Sequence, residues 1–161
     1  LDGENVVTKE TPAPISTTLG RCEASEPFDR SFEYRSVVGK LNYLEKSTRP
    51  DISYATHQCA RFSSDPRQPH GKAIKHLGRY LRATRDRGII FKPTDQSFDC
   101  YTDADFSGNW KREGANVDRD TARSRTGFIM FYTGCPLIWA SRLQTMIALS
   151  TPEYSFAYKS L

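Results

Sequence analysis

Hydrophobic positions recur every three or four residues along 31–87; beyond Gly88 they alternate or gather in short runs. That change of period divides the chain into a helix-forming part and a strand-forming part. Residues 1–30 show no period. Within them Thr11-Pro12-Ala13-Pro14-Ile15-Ser16-Thr17-Thr18 carries two prolines and little apolar content, which predicts an extended, mobile linker.

The first predicted helix runs from about Phe32 to Glu45, with Tyr34, Val37, Val38, Leu41 and Leu44 on one face. Ser47-Thr48-Arg49-Pro50-Asp51 marks the next helix start: Thr48 can cap, Pro50 suits the first turn, and Asp51 can reach back. This helix continues to about Phe62 with Ile52, Ala55, Cys59 and Phe62 as its inner stripe, and Ser63-Ser64-Asp65-Pro66 ends it. A third helix, from about Pro69 to Thr84, turns Ala73, Ile74, Leu77, Tyr80 and Leu81 inward. Strands are predicted at Gly88–Phe91, Phe98–Asp103, Thr126–Tyr132 and Leu137–Trp139, the last two joined across Thr133-Gly134-Cys135-Pro136 as a hairpin. Thr151 as cap and Pro152 at the first position predict a short final helix.

Composition narrows the classes. With 161 residues, 37% hydrophobic and 12% aromatic, the chain can bury one ordinary core or two small ones. No apolar run is long enough to span a bilayer, so no membrane partner is expected. The start at Leu1-Asp2-Gly3, without Met or a signal pattern, suggests an excised segment, a partial gene or a processed product. Cys22, Cys59, Cys100 and Cys135 have neither zinc-ligand nor CxxC spacing and read as ordinary reduced cysteines.

Charge changes the picture more. The net +4 conceals a block at 67–92 where eight basic residues face Asp86 alone, a local +7 that leaves −3 for the rest. Within the third helix Lys72, Lys75, Arg79 and Arg82 fall within roughly 80° of arc. A solvated surface face is the bland reading. A single-sign stripe without interleaved acids points instead to a polyanionic partner.

The most informative chemical string is Tyr101-Thr102-Asp103-Ala104-Asp105-Phe106-Ser107-Gly108-Asn109. A carboxylate ends a strand and a small-residue turn follows, leaving open backbone where a divalent ion and a phosphate could approach. Mg²⁺ wants several oxygen ligands, so one carboxylate is not a site, and a turn-capping Asp is the plain alternative. His57, His70 and His76 have no nucleophile pattern around them, Trp110 and Trp139 read as packing residues, and there is no P-loop or GxGxxG.

Several blocks together resemble one family. Tyr34-Arg35-Ser36-Val37-Val38-Gly39-Lys40-Leu41-Asn42-Tyr43-Leu44, Thr48-Arg49-Pro50-Asp51-Ile52, Cys59-Ala60-Arg61-Phe62-Ser63 and Lys75-His76-Leu77-Gly78-Arg79-Tyr80-Leu81 resemble the region after the polymerase palm in copia-type retrotransposons. The Tyr101–Asn109 string, Ser124-Arg125-Thr126-Gly127-Phe128, Ile138-Trp139-Ala140-Ser141 and Ile147-Ala148-Leu149-Ser150-Thr151 resemble the start of that family's RNase H. The blocks cover about 31–161 in the family's order.

The resemblance implies an α+β fold in two incomplete parts after a linker at 1–30. One is a helical, thumb- or connection-like unit at 31–92. The other is a partial RNase H-like mixed sheet at 97–161 with a truncated first helix. It implies a parental activity of reverse transcription and cleavage of RNA in RNA–DNA hybrids, with Mg²⁺ as cofactor. By position Asp103 matches the first metal-binding catalytic acid. The second is a glutamate on the first helix of that fold. Aligned without a gap, Ser155 takes its place; with a two-residue deletion before Pro152, Glu153 does, and Ser160-Leu161 also falls on a family-like Ser-Leu. The gapped reading is adopted. The later acids and the polymerase aspartates are expected to lie outside residues 1–161, so the chain alone is expected to be inactive. Two other readings stand beside this one, a non-catalytic nucleic-acid-binding remnant and a decayed element. The implied partners are RNA–DNA hybrid or other nucleic acid, bound through Lys72, Lys75, Arg79 and Arg82, and the rest of the Pol polyprotein. The implied location is a cytoplasmic virus-like particle, with the nucleus as a second option.

Overall fold

The computed structural model describes residues 7–14, 19–21, 24–94, 96–105 and 122–145. The chain is α+β and divides into two compact units, Leu1–Ile89 and Ile90–Leu161.

The first unit holds α1 (Tyr34–Ser47), a 3₁₀ turn (Pro50–Ile52), α2 (Ser53–Ala60) and α3 (Gln68–Ala83). Helical periodicity located these helices to within a few residues. Two apolar clusters form the core. One joins Phe28, Tyr34, Val38, Cys59 and Ile74; the other joins Leu41, Ile52, Ala55, Leu77 and Tyr80. The predicted inner stripe of α2 is buried at every position, Phe62 included. On α1 the face is rotated slightly: Glu45 is fully buried while Val37 and Leu44 are half-buried. Glu45 keeps its charge company there, 2.9 Å from Lys46 Nζ and 3.5 Å from His57 Nε2. Among the described residues no helix is long and apolar enough to cross a membrane.

The end of the predicted linker is part of this core. Phe28 is buried, with its ring centroid 4.8 Å from Phe32 and 5.7 Å from Tyr34. Backbone bonds tie its segment down: Phe28 N–H donates to the Pro66 carbonyl at 3.1 Å, and Gln68 N–H to the Glu26 carbonyl at 3.0 Å. Ala13 and Leu19 also pack against the clusters. One aromatic and a few small side chains achieve this, which is why no period announced it.

Phe28 fits because α3 has no side chain at position 71. A Cβ on Gly71 would come within 2.4 Å and 2.6 Å of its ring carbons. In an open helix interior Gly→Ala stabilises by up to about 1 kcal/mol. Here the sign should reverse. Gly71→Ala is expected to destabilise by about 2 kcal/mol through overpacking, read as a lower urea midpoint; a raised midpoint would mean Phe28 moves away freely.

The Thr48-Arg49-Pro50-Asp51 turn is built differently from a side-chain cap. Arg49 occupies the cap position and no side chain caps the turn. Asp51 instead receives Arg49 Nε at 2.9 Å and Nη2 at 2.7 Å, a bidentate pair. The Arg49 guanidinium also donates to the Thr84 carbonyl at 2.9 Å and to Thr84 Oγ1 at 2.7 Å, just past the end of α3. Tyr80 OH donates to Asp51 Oδ2 at 2.6 Å. The turn after α1 is thereby locked to the C-terminal end of α3.

His70 locks the other end of α3. It is fully buried and stacked on Phe62 at 4.0 Å. Its Nδ1 accepts from Arg67 N–H at 2.9 Å, so Nε2 carries the proton and donates to the Gly20 carbonyl at 2.8 Å. Burial lowers its pKa from the ordinary 6.5, against the opposing pull of the Gly20 hydrogen bond. A second proton would have to sit on Nδ1, facing a donor. The folded pKa lies below the unfolded one, so this stability is present above the unfolded value and is lost as pH falls through 6.5 and below. Urea stability is expected to drop with a slope of at most about 1.4 kcal/mol per pH unit from this group. In His70→Gln that part of the slope should vanish; an unchanged slope would assign it elsewhere.

The second unit holds β1 (Phe98–Asp105), β2 (Arg125–Tyr132) and β3 (Cys135–Leu143), an antiparallel sheet in the order β1-β2-β3. Asp103 pairs with Gly127 and Phe98 with Tyr132. The β2–β3 hairpin is tighter than predicted. Cys135 already pairs with Tyr132, leaving Thr133-Gly134 as a two-residue turn with φ of 54° and 76°. Positive φ at both positions is the type I′ geometry that suits hairpin twist. A Cβ on Gly134 would also meet Thr94 Oγ1 at 2.5 Å. The register shifts between Met130 and Phe131, which accommodates Pro136 on a strand outside the centre of the three.

The predicted strand at Gly88–Phe91 is absent: those residues are not extended in any ladder, and Ile90 and Phe91 are exposed. An apolar triplet without a pairing edge makes no strand. The predicted final helix, with Thr151, Pro152 and Glu153, lies outside the described residues.

Candidate nucleic-acid interface

The candidate interface is the outer face of α3. Burying Ile74, Leu77 and Tyr80 fixes the rotation of the helix, and three of the four stripe residues, Lys72, Lys75 and Arg82, are exposed. Arg79 is half-buried, and its Nε is a buried donor without a hydrogen-bond partner among the described residues. The structure therefore presents a three-cation edge with a fourth cation turned partly inward.

The exposed cations are not equivalent. Lys75 Nζ lies 5.9 Å from the centre of the Phe32 ring. Lys75 is also near Asp29, whose carboxyl is held below the ordinary range first by the Ser31 N–H at 3.0 Å and less strongly by the lysine charge. The stripe continues past α3 into Arg85 and Arg87, both exposed, with Asp86 3.5 Å from Arg85.

Beside the stripe, between α2 and α3, lies a cavity of about 300 Å³. Its walls include Tyr54, Ala55 and Gln58 from α2 and Lys72, Ala73 and His76 from α3. The segment Pro12-Ala13-Pro14 closes one side. His76 Nε2 lies 2.9 Å from the Thr11 carbonyl and helps hold that segment in place. Sequence reading missed this cavity, because the proline-bearing segment carries no pattern that shows where it docks.

Each histidine has a structural contact: His70 is a buried packing group, His76 is tied to the backbone, and His57 lies 3.5 Å from Glu45. Burial pushes the Cys59 thiol up to about 12, so it is inert as a nucleophile at neutral pH.

Asp103 sits on β1 opposite Gly127 and is exposed. Glu153 and Ser155 lie outside the described residues, and so does the question of which one faces Asp103. Among the described residues no group of three His, Cys, Asp or Glu side chains could hold a metal ion. Asp103 alone leaves most of an octahedral Mg²⁺ shell unfilled. The described residues do not fit a metal centre by themselves.

Over 123 residues the chain is 37% identical to the retrovirus-related Pol polyprotein from transposon TNT 1-94 of Nicotiana tabacum, covering 76% of this chain and 9% of that protein. Over 157 residues it is 33% identical to the retrovirus-related Pol polyprotein from transposon RE1 of Arabidopsis thaliana, covering 97% of this chain and 10% of that protein. The chain belongs to the retrovirus-related Pol polyproteins of copia-type transposons. This Pol segment spans about a tenth of the length of those relatives. It is also 33% identical over 125 residues to Secreted RxLR effector protein 161 of Plasmopara viticola, covering 77% of this chain and 82% of that protein. No family model matches the Pol segment, and no solved structure matches it.

The family's blocks now have structural meanings in this Pol segment. Tyr34–Leu44 supplies the packing face of α1, Thr48–Ile52 the ion-paired turn, Lys75–Leu81 both faces of α3, and Ile138–Ser141 the middle of β3.

Proposed function

We propose that this Pol segment holds an RNA–DNA hybrid, or another duplex nucleic acid, against the outer face of α3. The parental polyprotein would carry out reverse transcription and RNase H cleavage. The observation that carries the reading is the exposed, single-sign edge of Lys72, Lys75 and Arg82 on a helix whose opposite face is locked into the core. Cations on a rigid helix meet regularly spaced phosphates without first paying for ordering, and they read charge rather than sequence.

The same reading takes residues 97–161 as part of an RNase H-like domain. Three sequential antiparallel strands with Asp103 near the end of the first support it. In that reading Asp103 and Glu153 are catalytic and metal-binding acids. On this reading the isolated segment acts as a binding element rather than a nuclease, because two carboxylates leave a two-metal site under-filled.

Titrating labelled hybrids of unrelated sequence at several salt concentrations tests the interface. Three phosphate contacts predict a log–log salt slope of about −3 and similar affinity for each sequence. Salt-independent binding, or strong preference for one sequence, would sink the reading. In the same preparation no hybrid cleavage is expected with Mg²⁺ or Mn²⁺. Metal-dependent cleavage that Asp103→Asn abolishes would show that a working site assembles.

A further inference from the structure

We infer that the cavity between α2 and α3 is a pocket for one unpaired nucleobase of the nucleic acid held on α3. It rests on the proposed duplex-binding reading and adds a single-stranded contact to it.

Four observations carry the inference. Lys72 belongs both to the phosphate-facing edge and to the cavity wall, and it is exposed, so the two surfaces are continuous. The size, about 300 Å³ with largely apolar walls, is at the small end of ligand pockets and suits one flat ring rather than a duplex. Tyr54 contributes a partly exposed aromatic ring, the kind of surface on which bases of any sequence stack.

The fourth observation is an unmet hydrogen-bond donor. Gln58 lines the cavity and is 3% exposed. Arg61 Nη1 donates to its Oε1 at 3.3 Å, which fixes the amide so that the NH₂ end is the remaining group. That Nε2 is buried and has no hydrogen-bond partner among the described residues. Buried amide nitrogens are nearly always satisfied, and a small turn of the Gln58 side chain would bring this orphan from beneath the cavity wall to an acceptor from outside. A ring carbonyl of a base supplies that acceptor on an otherwise apolar plate. Thymine and uracil, with carbonyls on both sides of a small ring, match best.

The arrangement suggests how a duplex end is held. Lys75 and Arg82 take the paired region, Lys72 takes the phosphate at the junction, and the first unpaired base turns into the cavity. No bond is made or broken.

The test compares one RNA–DNA hybrid in three forms by fluorescence anisotropy: blunt, with a thymidine overhang, and with the same overhang made abasic. The expected result is roughly tenfold tighter binding of the thymidine overhang than of the other two. Ala73→Leu, which fills the cavity, should abolish that preference while leaving blunt-hybrid affinity unchanged. Gln58→Leu removes the orphan donor without opening a void but also removes the acceptor for Arg61 Nη1, so the urea midpoint should fall slightly while the preference is lost. A merely structural Gln58 would leave the ratio of overhang to blunt affinity untouched. If the blunt and thymidine forms bind equally, or if both variants keep the preference, the base pocket is overturned and the duplex interface stands. If the protein binds no hybrid in any form, the interface reading fails and the pocket falls with it.

Discussion

Lys75→Glu combined with Arg82→Glu is expected to weaken hybrid binding on the order of 100-fold at low salt and to flatten the salt slope by about 2. Both positions are exposed on α3, so the fold should tolerate the change and the urea midpoint should fall only slightly, by what Lys75 gains from Phe32 and Asp29. Reversal acts twice, since each site loses an attraction to phosphate and gains a repulsion. The effect should shrink as salt rises, because the Debye length falls from about 10 Å at 0.1 M to about 3 Å at 1 M. Arg79 should behave differently. Its side chain is half-buried and its Nε lies below the surface, so Arg79→Glu would cost stability as well as affinity. An exposed double reversal that left affinity and slope intact would return the stripe to the status of a solvated face.

The helical part of the fold was legible because burial in a small helical unit repeats at helical spacing. Ile52, Ala55, Cys59 and Phe62 on one side of the chain, and Ile74, Leu77 and Tyr80 on another, left little choice of rotation. What was illegible has a common cause: contacts made by single residues at long sequence separation. Phe28 reaches the core from a stretch without period, and Gly71, 43 positions on, makes its space. The cavity depends on Pro12-Ala13-Pro14 lying against α3 more than 50 residues away. Glu45 shows the converse, an acid at an inward position that a hydrophobicity pattern assigns to the surface. The failed strand at Gly88–Phe91 marks where local β-propensity ran out, since a strand is defined by its partner. The candidate interface was legible in part. Helical geometry put four cations on one face, but it took packing to show that Arg79 leans inward while Lys72 doubles as a cavity wall.

The Arg49–Asp51 turn carries the largest expected stability effect. Arg49 is 4% exposed, so its charge is acceptable only while Asp51 answers it. Asp51→Ala would leave that guanidinium buried with the two Thr84 oxygens and no counter-charge, and would leave the Tyr80 hydroxyl without its acceptor. The expected loss is about 3 kcal/mol, moderated because Asp51 itself is partly exposed. For a unit of this size that corresponds to a drop in Tm of roughly 15 °C. Asp51→Asn should lose less, since the amide oxygen still accepts. Burial pushes the Asp51 carboxyl up, but the hydrogen bonds from Arg49 and Tyr80 outweigh it, and the net pKa is lowered from 3.8. A depressed folded pKa gives stability that is present above the unfolded value and lost as pH falls through the folded one. Wild-type protein should therefore lose this contribution below about pH 4, and Asp51→Asn should lack that acid limb. The turn also separates two roles for basic residues in one chain. Arg49 is spent on the fold, whereas Lys75 and Arg82 are turned to solvent. Arg49 contributes nothing to the salt slope of hybrid binding, so the two roles predict opposite signatures. Asp51→Ala, studied well below its melting temperature, should bind hybrid with an unchanged slope, while Lys75→Glu with Arg82→Glu should change the slope at a nearly unchanged midpoint. Overlap of the two signatures would mean that the end of α3 is not independently held, and that Thr84 is a weaker anchor than its three bonds suggest.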